Sequence, residues 1–199
     1  MRKYLILPLL LLLCLSNLGC LGAEENTVKE QETAKTDSVQ EQTEQVLPKL
    51  DVVNRPIKWT DNREALIRAY ANLHYGKDII EIVPQVVIVH WTVSNDAESV
   101  YQYFYSETMP DDGGGRLNVA SHYLVDRDGT IYQLTPETAL NRHAIGYNWC
   151  AIGIENVGGV NGREDLTEEQ VKANVDIIRY LQAKYPTIKY VWGHYQQHE

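Results

Sequence analysis

Val86-Val87-Ile88-Val89-His90-Trp91-Thr92 is the stretch whose reading decides the fold. Four β-branched residues follow one another with no polar alternation, the pattern of a strand covered on both faces. Such strands sit in sheets with helices on each side, and they do not fit antiparallel sheets with one wet face. The first polar residue, His90, closes the run.

Working outward, the flanks supply the other layers. Upstream, Asp61 and Glu64 open an amphipathic run of Ala65, Leu66, Ala69, Tyr70 and Leu73 that stops at Gly76, which predicts a helix with a capping-box-like start. Downstream, a helix is expected around Ala97–Tyr105. His122–Val125 and Thr130–Leu134 flank Asp126-Arg127-Asp128-Gly129 and read as a hairpin. Ala151–Val157 is a further apolar strand, broken by Glu155. Thr167-x-x-Gln170 caps a helix with Val171, Val175, Ile178 and Leu181 on one face, ending near Tyr185-Pro186. Ile188–Trp192 forms a last strand running into Gly193-His194. This order predicts an α/β fold, a single domain with a central mixed β-sheet flanked by helices over residues 51–199. No internal repeat is visible.

Ahead of that domain lie two segments of different character. Residues 1–22 carry Arg2 and Lys3 and then a nearly continuous Leu/Ile run from Tyr4 to Leu15. That run is shorter than the about 20 residues a bilayer requires, and it reads as a signal peptide. Leu18-Gly19-Cys20 resembles the end of a lipobox, which makes Cys20 the expected lipidation site, although Asn17 stands where such motifs carry Leu. Simple cleavage near Gly22-Ala23 is the competing reading, and both imply export to the cell envelope. Residues 23–50 are rich in Glu, Gln, Thr and Lys and poor in aliphatics, so they are expected to form a disordered tether.

Composition narrows the function classes. The formal net charge is −9, and removal of the leader takes two more positive charges away. Such acidity argues against nucleic acid and anionic membrane surfaces as partners, leaving the lipid anchor as the expected link to the membrane. Beyond Cys14 and Cys20 there is only Cys150. The domain therefore has no internal disulfide, and its stability rests on its core.

Three polar residues lie at or beside strand ends: His90, Glu155 and His194. Singly each has an ordinary structural explanation. Together, two imidazoles and a carboxylate have the chemistry of a zinc site with a non-ligating base. Spacing alone does not bring them together, so the residues themselves lead only as far as a metal-assisted hydrolase.

Five segments carry a more specific signal: Val87-Ile88-Val89-His90-Trp91-Thr92, Ser121–Leu134, Arg142-His143-Ala144, Ile152-Gly153-Ile154-Glu155 and Gly193-His194. In this order they resemble the zinc-dependent N-acetylmuramoyl-L-alanine amidases, a family that also includes peptidoglycan recognition proteins and amidase-type phage lysozymes. The resemblance covers residues 84–199. It implies Zn2+ as cofactor, His90 and His194 as metal ligands and Glu155 as general base. It places His143 and Trp91 beside the substrate groove and leaves His122 structural. The implied reaction is hydrolysis of the amide between N-acetylmuramic acid and L-alanine in peptidoglycan or its muropeptides. The alternative is a non-catalytic peptidoglycan-binding module of the same fold. The family's third metal ligand, an Asp or Cys, and its oxyanion-stabilising residue lie beyond the second histidine. Since only five residues follow His194, the domain is expected to be truncated there.

Overall fold

The computed structural model describes residues 47–198. The expected signal peptide, the Cys20 lipidation site and nearly all of the expected tether lie outside those residues. Leu50, at the far end of the tether, packs against the domain core.

The apolar run becomes β2 (Val86–Trp91), extended two residues past Val89 so that His90 lies within the strand. It pairs in parallel with β5 (Ala151–Asn156) on one side and with β6 (Tyr190–Gly193) on the other. Beyond β5 come β3 (Tyr123–Val125) and β4 (Ile131–Gln133), the expected antiparallel hairpin. A two-residue strand, β1 (Val53–Asn54), then pairs in parallel with β4. The sheet order is β1-β4-β3-β5-β2-β6, mixed as the sequence predicts.

Side-chain alternation sorts the two faces. Val87, Tyr123, Val125, Ile152 and Ile154 meet α1 (Asp61–Tyr75) and α3 (Glu168–Lys184) in the main core. Leu124 on the opposite face meets α2 (Ala97–Tyr105) through Ala97, Val100 and Phe104. Val86, Ile88 and Ala151 on that same face pack with Ala144 and Cys150. Each fully buried aliphatic contributes roughly 1.5–3 kcal/mol. One face is thus roofed by two helices and the other by a single short helix and a loop.

Helix ends follow from local chemistry. Thr60, one residue before Asp61, caps α1 by accepting from the Arg63 N–H, and Gly76 ends it at φ 63°. The capping box expected from Asp61 and Glu64 does not form, because Glu64 accepts from the Trp59 indole instead. Asp96 caps α2, and Thr167 with Gln170 forms the full capping box of α3.

The buried faces of α1 and α3 are rotated from the predicted ones. Ala65, Ala69 and Leu73 are exposed on α1, while Arg63, Ile67, Tyr70 and Ala71 are buried. Val171 and Val175 are exposed on α3, while Gln170, Ala173, Asn174, Ile177 and Leu181 face inward. The reason is hydrogen bonding. Gln170 Nε2 donates to the carbonyls of Val125 and Val157. The Arg63 guanidinium donates to the carbonyls of Lys58, Phe104, Tyr105 and Ser106, closing the C-terminal end of α2. Hydrogen bonds of this kind offset the cost of burying these polar groups, which displace the aliphatics that periodicity alone places inside.

Candidate active site

Because β2, β5 and β6 are mutually parallel, their C-terminal ends lie along one edge of the sheet. His90, Glu155 and His194 are all at that edge. In register, His90 lies opposite Glu155 and Ile88 opposite Gly153, so His90, Gly153 and Glu155 share the thinly covered face. Gly193 ends β6 opposite Val89, and the chain then turns into a 3₁₀ segment starting at His194. The carboxyl ends of parallel strands are the usual place for ligands in such sheets.

The imidazoles converge. His90 Nδ1 lies 2.6 Å from His194 Nδ1, and His90 Nε2 lies 3.1 Å from His143 Nδ1. His90 is buried, and that burial together with the neighbouring His194 pulls its pKa down to about 3. His143 is held well below the ordinary histidine value, chiefly by burial and then by His90 beside it. The pair of rings facing each other is therefore neutral, the form in which imidazole binds metals.

Glu155 lies beside them in a different state. Its Oε2 is buried and has no hydrogen-bond partner among the described residues. Burial alone pushes its pKa up to about 8. An unpaired buried carboxyl facing a cleft is costly to keep, and groups perturbed in this way cluster at functional sites.

These residues open onto a groove of about 860 Å³. Val100, Tyr103 and Phe104 of α2 form one wall, and Trp91, Leu166 and Tyr195 contribute others. Trp91 is seated by Gly158 and Gly159, where a Cβ would come within 2.9 Å of its ring atoms in each case. Both glycines have positive φ, so this close approach and this backbone exclude larger residues.

All five sequence-predicted residues of the domain thus meet in one place: His90, His194, Glu155, His143 and Trp91. His122 is fully buried between two backbone groups. Its Nε2 meets the Ala139 carbonyl at 2.9 Å and its Nδ1 accepts from Gly153 N–H at 2.9 Å, a structural setting. Sequence reasoning missed the α2 wall, Leu166, Tyr195 and Asn156. Asn156 Nδ2 donates to the His90 carbonyl at 3.2 Å and is held in turn by Asn174. The signal for α2 was available in its amphipathic pattern, whereas Asn156 left no trace in the sequence.

The geometry tests the implied metal on its own terms. Two Nδ1 atoms 2.6 Å apart, those of His90 and His194, with an orphaned carboxyl beside them, fit two ligands and a base of a catalytic zinc site. Among the described residues no group of three or more His, Cys, Asp or Glu side chains is placed to hold a metal ion. The fit therefore extends to His90 and His194 only.

Comparison with known proteins places this arrangement. The family described as N-acetylmuramoyl-L-alanine amidase matches residues 81–199. The endolysin of Escherichia phage T7 is 35% identical over 75 residues, covering 36% of this chain and 50% of its own length. The endolysin of Enterobacteria phage K11 is 32% identical over 76 residues, with the same coverage. The chain thus spans about half the length of the curated relatives it matches. Among solved structures, an endolysin N-acetylmuramoyl-L-alanine amidase from Clostridium intestinale superposes with a TM-score of 0.54 at 25% identity, covering 76% of this chain and 84% of that one.

Proposed function

Because the chain belongs to the N-acetylmuramoyl-L-alanine amidase family, we propose that it hydrolyses the amide joining N-acetylmuramic acid to L-alanine in peptidoglycan, using zinc. The observation that carries this reading is the buried, unpartnered Oε2 of Glu155 beside the His90–His194 pair. A module that only binds wall has no use for such a carboxyl, and an amide hydrolase needs one.

His90 and His194 would hold the metal. Zinc bound there supplies Lewis acidity, lowering the pKa of water toward about 7 and polarising a carbonyl. The chain's own residues do the rest. Glu155 Oε2 takes the proton of the attacking water and delivers one to the leaving amine of L-alanine. A cation beside it favours its ionised form, offsetting the effect of burial. Asn156 fixes the backbone of His90 from below. Trp91, Tyr103 and Tyr195 present rings to the groove, suited to the apolar faces of a sugar or of a short peptide stem.

Export with lipidation at Cys20 belongs to the same proposal and is supported by the leader sequence. No helix among the described residues is long and apolar enough to cross a membrane. The test is incubation of the purified protein with purified sacculi, with and without a chelator. Chelator-sensitive release of peptides with a free N-terminal L-alanine is the expected result. Sacculi that are retained by the protein but chemically unchanged would replace the enzyme with the binding module.

A further inference from the structure

We propose that His143 is a positioning residue that sets the tautomer and ring orientation of His90, through a relay starting at the Ala151 carbonyl. The inference rests on the metal-ligand reading of His90 given above, and it concerns how that ligand is prepared.

The relay follows from which atoms are able to donate. The Ala151 carbonyl oxygen only accepts, and His143 Nε2 lies 3.2 Å from it. The His143 proton is therefore on Nε2, which leaves a lone pair on Nδ1. That lone pair faces His90 Nε2 at 3.1 Å, so His90 must donate from Nε2. His90 Nδ1 is then the unprotonated nitrogen, and it is the atom directed at His194 Nδ1. The opposite assignment would set the His143 Nε2 lone pair against the carbonyl oxygen, two acceptors with no hydrogen between them.

The fold reserves space for this arrangement. A Cβ on Gly153 would lie 2.8 Å from both Cγ and Nδ1 of His143 and 3.0 Å from Cε1. The gap left by glycine on β5 is filled by the imidazole. The Gly153 peptide is itself held by its N–H bond to His122 Nδ1. The His143 backbone is fixed separately: Asn148 Oδ1 accepts from its N–H at 3.0 Å, and Asn148 is anchored by the Tyr70 hydroxyl. The ring thus sits on a glycine floor with its backbone pinned and both nitrogens engaged. Groups that hold the distal nitrogen of a metal-bound histidine typically contribute 10–100-fold in metal affinity. Here that group is a second histidine instead of a carboxylate, so the relay adds no second carboxyl to that of Glu155 beside the pair.

Two measurements test this without reference to hydrolysis. Long-range ¹H–¹⁵N spectra of the histidine rings in the metal-free protein should show His143 and His90 as Nε2–H tautomers. Titration of the metal-free protein with zinc should show His143→Leu weakened 10–100-fold. His143→Asn should bind within a few-fold of the unsubstituted protein, because its Oδ1 occupies the place of Nδ1 and still accepts from His90. Gly153→Ala keeps every imidazole yet drives the His143 ring off its floor, and should weaken zinc as His143→Leu does. An Nδ1–H signal for His143, or unchanged zinc affinity in His143→Leu, overturns the proposal. If the variants do not fold, the spectra of the unsubstituted protein decide it alone. An intact relay in a protein inert toward sacculi would refute the proposed reaction and leave this inference standing.

Discussion

His90 and Glu155 are register partners on adjacent parallel strands, side by side on the same face of the sheet. The proposed metal ligand and the proposed base are thereby fixed relative to one another by backbone hydrogen bonds, with no dependence on a mobile loop. Sites built on strands hold their geometry more tightly than sites built on loops.

Replacement Glu155→Gln keeps the size of the side chain and removes its proton-accepting capacity. The expected loss in sacculus hydrolysis is about 10²–10⁴-fold, the usual contribution of a positioned general base. Zinc stoichiometry should not change, since the carboxylate is not assigned as a ligand. A loss smaller than tenfold would remove Glu155 from the proton transfer.

His122 makes stability depend on acid. Its pKa falls from 6.5 to about 4 on folding, because burial outweighs the upward pull of the Ala139 carbonyl and of Glu137. A base with a depressed folded pKa gives stability that is full above 6.5 and is lost as the pH falls toward 4. The shift corresponds to about 3 kcal/mol. Urea unfolding of the metal-free protein at several pH values should show His122→Gln lacking that portion of the acid sensitivity. Equal pH slopes in the two proteins would contradict it.

Arg63→Met removes the side-chain donor from the Phe104 and Tyr105 carbonyls at the end of α2, while that of Ser106 keeps Asn118. The expected cost is about 3 kcal/mol in unfolding free energy. Since Val100, Tyr103 and Phe104 hang from that helix, substrate affinity should weaken along with stability. Calorimetry and the KM for a muropeptide would show the two effects.

Val93, just after β2, has φ 54°, a conformation that β-branched residues adopt only under strain. Val93→Asn should raise the unfolding free energy by about 1 kcal/mol, because Asn tolerates left-handed backbone and Val93 is exposed. The Thr92 and Ser94 contacts that shape this turn do not involve the Val93 side chain. A decrease in the urea midpoint would contradict this.

Elements with strong local patterns were legible before folding. The β2 run, α2, the hairpin and the Thr167–Gln170 capping box all recur in the structure within a residue or two. The orientation of α1 and α3 was not legible, because Arg63, Gln170 and Asn174 are drawn inward by partners distant in the chain. Nor was β1, since two residues paired with β4 leave no period to detect. For the site, the residue types at 90, 155 and 194 were readable, but their convergence was not. It depends on β6 docking beside β2 from 104 positions away, a pairing that no local pattern specifies. The His143–Ala151 bond is likewise a product of three-dimensional placement.

That docking has a consequence for how the molecule opens. β6 is an edge strand, joined to the sheet through β2 alone among the described residues, and its Tyr190 and Val191 are exposed. Left to its own contacts it belongs with the segments that detach first in native-state fluctuations. A cation shared by His90 and His194 would staple this edge to a strand of the interior, across a long stretch of intervening chain. Amide exchange along β6 would then report metal occupancy directly, slow while the staple is closed and fast once it is removed.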